Sequence, residues 1–369
     1  MNSTLPSTGL LKTKQHFEIL DGLRGLAALV IVIFHFMEII IPDFHDNIVA
    51  HGYLAVDFFF CLSGFVIAYA YDNRIEKIGI ISFLKLRLIR LHPLVVIGAI
   101  IGLVVYVFDP FVSLSSHYSV GQNIWLFLSA SLMIPYPIVE ERFFNLFHLN
   151  PPTWSLFWEY VANIVYALIL FRIRPKLLGL LTGIAGGLLC YAAYHYGNLS
   201  AGWGGHNYWG GGARIFFSFL AGMLVFRLGW IIKSPLGFKA LGVLLLTALM
   251  FPFAESINWI VEPIIIIFYF PLLVALGAGA QMAASDKKLC VFSGEISYPL
   301  YMVHYPFIWL FFSYLEKYSP AFQEQVLIMC VGTPLLVGLA YLVMRYLDIP
   351  IRNYFKNKMK ESAAMRQKA

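Results

Sequence analysis

Charged residues are scarce in this sequence: Asp, Glu, Lys and Arg make up only 12% of its 369 residues. Soluble domains carry about 25% charged residues, whereas this chain is 60% hydrophobic and has a mean hydropathy of +0.75. The composition therefore excludes a large soluble core and predicts an all-α, polytopic membrane helix bundle. The net charge of +6 does not indicate nucleic-acid binding, because the Lys and Arg residues lie in short loops, where they set membrane orientation.

Sequence motifs that mark several common chemistries are also missing. The four cysteines lie in or beside apolar segments with no C-x-x-C or metal-type spacing, so we expect no disulfide and no metal site. There is no G-x-S-x-G elbow, no glycine-rich phosphate loop, no H-E-x-x-H and no internal repeat. These absences exclude the usual hydrolase, nucleotide and zinc-protease sites, and we expect no tightly bound cofactor.

Long apolar runs predict the membrane-spanning helices. Eleven runs fall at about 20–41, 51–71, 91–112, 122–138, 153–171, 176–196, 212–232, 237–254, 257–283, 291–315 and 322–347. Positively charged loops belong in the cytoplasm, and the loops obey this rule only if 122–138 does not cross. We therefore expect about ten spanning helices, and an extracytoplasmic excursion over 113–152 that holds a re-entrant or interfacial helix. The alternative is that 122–138 spans the membrane and the charge rule fails twice.

The same reasoning predicts one integral domain in the cell inner (cytoplasmic) membrane, with both termini cytoplasmic. Residues 1–17 form a cytoplasmic N-terminal segment, which Lys12 and Lys14 mark as inside. Residues 18–349 form the membrane domain, and 350–369 form a basic cytoplasmic tail.

The first apolar helix, residues 18–41, carries ionisable side chains that a plain membrane anchor lacks: Arg24 near its start, His35 well inside and Glu38 near its end. Arg24 and His35 are eleven residues apart, so they share one helix face about 16 Å apart along the axis. Asp21 is interpreted as holding Arg24 in place. Because an imidazole titrates near neutrality, His35 can act as a general base on a hydroxyl. The alternative is a histidine that only packs between helices.

Two further carboxylates lie in apolar segments. Asp57 is at a depth comparable to that of His35, so it either orients the imidazole or caps its own helix. Glu159 shares a helix face with Ser155 and lies about two turns in from the surface. An ionisable residue at that depth is either functional or the partner of a buried cation such as Arg24.

Other polar residues form two small groups. Arg87 and Arg90 lie one turn apart, which suits a phosphate or pyrophosphate; the alternative is contact with anionic lipid headgroups. Ser297, Tyr301 and His304 share one face of a later helix, where they either line a polar cavity or bond between helices.

Six motifs can be read along the chain: LDGLRGLAALVIVIFH, AVDFFFCLSGF, FLKLRLIRLHP, PTWSLFWE, ISYPLYMVH and DIPIRNYF. Together and in this order, they resemble the acyltransferase-3 family of integral membrane acyltransferases. In the last motif Asp348 replaces the usual glutamate. The resemblance implies ten membrane helices and transfer of an acyl group, commonly acetyl from acetyl-CoA, to a carbohydrate hydroxyl. Acceptors in the family include lipopolysaccharide, exopolysaccharide, peptidoglycan and macrolides.

The resemblance also implies roles for individual residues. Arg24 and His35 would be the essential pair, Arg87 and Arg90 would contact acyl-CoA, and Glu159 matches the motif glutamate. Some members carry a C-terminal hydrolase-like domain. We do not expect one here, so transfer would be completed by this chain alone or with a separate partner.

We therefore predict a membrane O-acyltransferase in which acyl-CoA docks from the cytoplasm and His35 acts on the acceptor hydroxyl. Asp57 or Glu159 would steady the imidazolium. The acceptor site is expected to be lined by Ser155, Tyr301 and His304. The expected partners are a carbohydrate acceptor, acyl-CoA as co-substrate and the lipid bilayer, with no nucleic acid; a homo-oligomer and separate glycan-assembly partners both remain open. The alternative is a proton-coupled transporter or flippase that uses the buried ionisable residues as a path.

Overall fold

The computed structural model describes residues 16–368 of the chain, and within that range it is helical with no β-strand. The α-helices of the described chain are α1 (Glu18–Ile40), α2 (Ala55–Tyr71), α3 (Ile75–Ile78), α4 (Ile80–Val107), α5 (Val120–Leu132), α6 (Thr153–Leu168), α7 (Pro175–Tyr196), α8 (Tyr208–Arg227), α9 (Phe238–Leu249), α10 (Glu255–Ile264), α11 (Phe270–Gly279), α12 (Ala284–Val303), α13 (Tyr305–Tyr318), α14 (Phe322–Val343) and α15 (Ile349–Lys368). Two π-helical segments, Ile265–Tyr269 and Met344–Asp348, join α10 to α11 and α14 to α15. The predicted all-α fold is confirmed.

Seven helical stretches are long and apolar enough to cross a membrane. They are Glu18–Ile40, Gly52–Tyr71, Ile80–Val107, Pro175–Tyr196, Tyr208–Arg227, Glu255–Gly279 and Phe322–Ser362. The other three predicted spans correspond to α6, to α9 and to the pair α12 and α13, which His304 alone separates. The polytopic membrane bundle is thus confirmed, while the crossing of these three segments stays a prediction. Lys12 and Lys14, expected to mark the N-terminus, lie outside the described residues.

The 113–152 segment contains the short helix that its sequence predicts. Helix α5 has 13 residues, or about 20 Å, against about 30 Å for the hydrocarbon core of a bilayer. Ser119 and Gln122 form a capping box at its start, and Met133 ends it in the left-handed conformation. The helix is therefore too short to span.

Helix α1 lies at the centre of the bundle and packs along α12. A Cβ added to Gly25 would lie 2.6 Å from the carbonyl oxygen of Ser293, and one added to Gly294 would lie 2.5 Å from the Cβ of Asp21. Only glycine permits this backbone approach, which is the way small residues serve in membrane bundles. The close contact brings the polar face of α1 against the polar face of α12.

The predicted boundary at residue 349 falls inside one continuous helix. Helix α14, the π-helical segment Met344–Asp348 and α15 follow one another without a break. Short π-helical segments within helices often occur at functional sites. The basic residues of the tail are therefore carried on a helix that continues directly from α14.

Candidate active site

His35 lies on α1 beside the junction of α12 and α13. Its ring stacks on His304, with centroids 5.4 Å apart and an interplanar angle of 21°, and meets Tyr305 edge-on at 4.7 Å. Its Nδ1 lies 2.6 Å from Oε1 of Glu38, one turn further along α1. The His35 side chain is 19% exposed, so it is not completely enclosed by the bundle.

The contact with Glu38 fixes the tautomer of His35. A carboxylate only accepts hydrogen bonds, so Nδ1 donates and the neutral ring keeps a lone pair on Nε2. A histidine held in this way can take a proton from a hydroxyl while the carboxylate stabilises the resulting imidazolium. The sequence analysis gave Glu38 no role, although a spacing of three residues on a helix was the available signal.

Arg24 lies three turns away on the same helix and is held by α12. Its Nε donates to Oγ of Ser297 at 2.9 Å, and Nη2 donates to the carbonyl oxygen of Gly294 at 2.5 Å. Asp21 lies 3.2 Å from the same Nη2, as expected. Arg24 therefore ties α1 to α12, and its partner Ser297 bonds between helices rather than lining an open cavity.

Asp57 does not contact His35; it pairs with Arg214 of α8. Nε of Arg214 lies 3.2 and 3.1 Å from the two carboxylate oxygens, and Nη2 donates to one of them at 2.6 Å. Both side chains are completely buried. A buried cation without an anion beside it costs several kcal/mol, roughly, so the Asp57 carboxylate lies against the guanidinium of Arg214. The structure thus corrects the expectation that Asp57 orients His35. The sequence analysis missed Arg214, although an arginine within an apolar run was a signal for it.

Glu159 is the partner of Arg87. Nη2 of Arg87 donates to Oε1 of Glu159 at 2.9 Å, and the hydroxyl of Ser63 donates to the same oxygen at 2.9 Å. The buried cation expected opposite Glu159 is therefore Arg87 and not Arg24. The charge of Arg87 is matched by this carboxylate, while its Nε has no hydrogen-bond partner. The expected contact of Arg87 with acyl-CoA stays a prediction.

Arg90, one turn after Arg87 on α4, is exposed. Its charge acts on Arg87 as well as on Arg24, Asp348 and Lys356. Arg352, one turn before Lys356 on α15, lies 2.6 Å from Asp348. We call Arg24, Arg90, Arg352 and Lys356 the basic cluster. The cluster combines four cations from three helices with two ion-paired carboxylates, Asp21 at Arg24 and Asp348 at Arg352, so positive charge is in excess. Of the expected pair, Arg87 is buried beside Glu159, whereas Arg90 is exposed.

The three residues expected to line the acceptor site are all buried. Oγ of Ser155 lies 2.8 Å from the hydroxyl of Tyr301 and donates to the carbonyl oxygen of Pro152 at 2.9 Å. His304 donates from Nδ1 to the carbonyl oxygen of Leu300 at 3.0 Å, and its Nε2 has no hydrogen-bond partner. Ser155 and Tyr301 are thus bonded to each other, whereas His304 belongs to the ring stack around His35.

The arrangement gives the site two ends. At one end, a histidine with a free Nε2 and a carboxylate behind it can perform acid–base chemistry. At the other end, about 16 Å along α1, the basic cluster can hold a polyanion. Among the described residues, no group of three or more His, Cys, Asp or Glu side chains could hold a metal ion. Such a site fits group transfer between two substrates that approach from different directions.

Comparison with known proteins defines the class as an acyltransferase. The model of the acyltransferase-3 family, described as an acyltransferase domain, matches residues 17–345. The chain belongs to this family, and the protein is a membrane acyltransferase. Membership of this family supports the prediction that the protein is an enzyme, and it gives no support to the alternative of a transporter or flippase.

Two curated relatives are similar to this chain. "Protein 2 in picA locus" of Rhizobium radiobacter is 39% identical over 163 residues, covering 42% of this chain and 82% of the relative. "O-acetyltransferase OatA" of Staphylococcus aureus is 25% identical over 370 residues, covering 90% of this chain. The chain spans 57% of the length of OatA. No solved structure matches the chain.

Proposed function

We propose that this protein transfers an acyl group, in the first instance acetyl, from acyl-CoA to a hydroxyl of a carbohydrate such as a surface polysaccharide, lipopolysaccharide or exopolysaccharide. The observation that carries the proposal is the pair of His35 and Glu38, which leaves a basic nitrogen on a partly exposed ring. The name O-acetyltransferase of the similar staphylococcal protein supports acetyl as the group transferred.

His35 is the general base of the reaction. Its Nε2 takes the proton of the acceptor hydroxyl as the oxygen attacks the thioester carbonyl carbon. Collapse of the tetrahedral intermediate breaks the carbon–sulfur bond, and the leaving thiolate takes the proton back from the imidazolium. The products are an O-acyl ester and free coenzyme A. Glu38 stabilises the imidazolium during the step in which that ring is charged.

The basic cluster binds the phosphate groups of the acyl-CoA. Arg90, Arg352 and Lys356 are on the open side of this cluster, and guanidinium groups suit phosphate geometry. The long arm of coenzyme A would extend from there along α1 towards His35. Arg87 and Glu159 act as a pair that holds α4 against α6 beside this path.

From the positive-inside bias we expect the basic cluster and both termini to lie in the cytoplasm, with the protein in the inner membrane. The end of α1 that carries Glu38 then faces the opposite side, where a surface glycan would be offered. The donor and the acceptor would meet at His35 from opposite sides of the bilayer.

The test is an assay of the purified protein in lipid nanodiscs with acetyl-CoA labelled on the acetyl group. We expect labelled glycan and free coenzyme A to form in equal amounts when a mixed set of polysaccharide acceptors is supplied. Consumption of acetyl-CoA with no label on any glycan would contradict a carbohydrate acceptor. Mass spectrometry of surface glycans from a deletion strain would then identify the acceptor, by the loss of an acetyl group.

A further inference from the structure

A second polar site lies next to the reacting histidine, along the aromatic face of α13. The ring of His35 contacts Tyr305 at 4.7 Å, and Tyr305 contacts Trp309 at 5.2 Å. The guanidinium carbon of Arg142, from the 113–152 segment, lies 4.8 Å from the centre of the Trp309 ring and 4.9 Å from that of Phe312. A continuous row of rings thus leads from His35 to a buried arginine.

Arg142 is incompletely partnered. Its Nη2 donates to the hydroxyl of Ser313 at 2.6 Å, whereas Nε and Nη1 have no hydrogen-bond partner. A carboxylate oxygen of Glu316 lies 3.7 Å from Nη1, too far for a hydrogen bond. The Arg142 side chain is 4% exposed, and that of Glu316 is 53% exposed. Among the described residues, the only carboxylate in an ion pair with this buried cation is therefore that of Glu316, which is held loosely and lies at the surface. Asp109 and Glu141 act on Arg142 from further away.

A small cavity of about 10 Å³ lies against this arginine, and Asp109, Trp309 and His148 are among its lining residues. Both ring nitrogens of His148 lack partners. Burial, together with the positive charge of Arg142, lowers the pKa of His148 to about 3, so the ring is neutral near pH 7. Asp109 accepts the backbone N–H groups of the loop that follows it. The groups in this cavity that lack hydrogen-bond partners are thus N–H groups of the Arg142 guanidinium and the ring nitrogens of the neutral His148. They lie beside the carboxylate of Asp109, whose charge also acts on Arg142.

We propose that Arg142, with Ser313 and His148, forms a subsite for the carboxylate of an acidic sugar in the acceptor glycan. The proposal rests on the function proposed above and adds the chemical class of the acceptor. An incoming carboxylate replaces Glu316 at Arg142, where it gains charge-assisted hydrogen bonds from N–H groups that have none. The partly exposed Tyr305 ring offers an apolar face to the sugar between this subsite and His35. The sugar acylated at His35 is then a near neighbour of the acidic sugar in the glycan chain.

The experiment compares two disaccharides that differ in one group: glucuronosyl-glucose, which carries a carboxylate, and cellobiose, which is neutral. Dissociation constants are measured on the wild-type protein in nanodiscs, without acyl donor. We expect the acidic disaccharide to bind at least about tenfold more tightly, the smaller effect expected for hydrogen bonds to a charged group. Arg142→Gln should remove this preference. The matched control is Arg172→Gln, which removes an exposed arginine that also lies over an aromatic ring.

A second variant covers the case in which Arg142→Gln does not fold. Glu316→Gln removes the competing carboxylate from an exposed position and should tighten binding of the acidic disaccharide by about twofold to fivefold, with no effect on cellobiose. Equal binding of the two disaccharides by the wild type would overturn the subsite, as would an unchanged preference in folded Arg142→Gln or in Glu316→Gln.

These outcomes are separate from those of the proposed function. Binding without an acyl donor tests only the subsite. If acetyl transfer fails while the preference for the acidic disaccharide depends on Arg142, the result supports the subsite and contradicts the proposed reaction. If neutral glycans are acetylated as well as acidic ones, the result supports the proposed reaction and contradicts the subsite.

Discussion

His35 donates its Nδ1–H to the carboxylate of Glu38 at 2.6 Å, and this one-turn contact on α1 determines which nitrogen can act on a substrate. Glu38→Gln should keep the side-chain shape and remove the negative charge behind the imidazolium. We expect kcat to fall by about 10²-fold, the lower end of what a positioned base contributes, with little change in KM for the acceptor. The measurement is initial-rate kinetics with labelled acetyl-CoA.

Glu76→Gln is the matched control for that prediction, because Glu76 is exposed on the short helix α3. It should keep wild-type kinetics. A Glu38→Gln enzyme with wild-type kcat would show that the carboxylate has no part in the reaction.

The pair of Asp57 and Arg214 supports the fold. Asp57→Asn should leave a buried guanidinium without its anion and destabilise the protein by about 3–5 kcal/mol. The double variant Asp57→Asn with Arg214→Gln should recover part of that loss, because no uncompensated charge remains. Thermal unfolding in detergent measures both effects. Wild-type stability in Asp57→Asn, combined with a loss of kcat, would instead support the earlier interpretation that Asp57 acts on His35.

Substitution of Arg87 and of Arg90 should have different effects, one on stability and the other on the KM for acetyl-CoA. Arg90→Gln removes an exposed cation from the basic cluster, so KM for acetyl-CoA should rise by about two- to fivefold while the melting temperature stays constant. Arg87→Gln leaves Glu159 without its partner, so the melting temperature should fall. If Arg87→Gln raised KM with no loss of stability, and Arg90→Gln had no effect, the assignment of the basic cluster would be incorrect.

Acid should destabilise the protein partly through His148. Burial and Arg142 depress the pKa of this histidine from 6.5 to about 3 in the folded state. Between these values the unfolded chain binds a proton that the folded chain does not, so stability is fully present above 6.5 and falls as the pH is lowered towards 3. The melting temperature should therefore drop less between pH 7 and pH 4 in His148→Asn than in the wild type.

The exposed His195 provides the control for that pH series. His195→Gln should follow the wild-type curve of melting temperature against pH. If the curves of His148→Asn and the wild type ran parallel, the depressed pKa of His148 would be contradicted.

Much of the fold follows from the sequence because membrane helices are defined by local features. Long apolar runs predict the seven apolar spans, and the polar ends and limited length of 122–138 predict a helix that does not cross. The sequence also identifies which ionisable residues need an explanation, because each lies in an apolar run.

The partners of those residues could not be predicted in the same way. Asp57 meets an arginine 157 residues further along the chain, and Arg87 meets a carboxylate 72 residues away. Which carboxylate pairs with which cation depends on how the helices pack. Asp57 and Arg214 lie on α2 and α8, which approach closely where Gly222 leaves no room for a Cβ against the carbonyl oxygen of Cys61. The Glu38 contact is the exception, since it is local to α1. The assignment of domains and of inner-membrane orientation stays a prediction.

The role of His35 is tested most directly by acetyl transfer in His35→Ala, measured beside the wild type in nanodiscs with labelled acetyl-CoA and the acetylated glycan as product. We expect transfer to fall by about 10²- to 10⁴-fold, while the melting temperature and the binding of acetyl-CoA are retained. Transfer by folded His35→Ala at the wild-type rate would contradict this role.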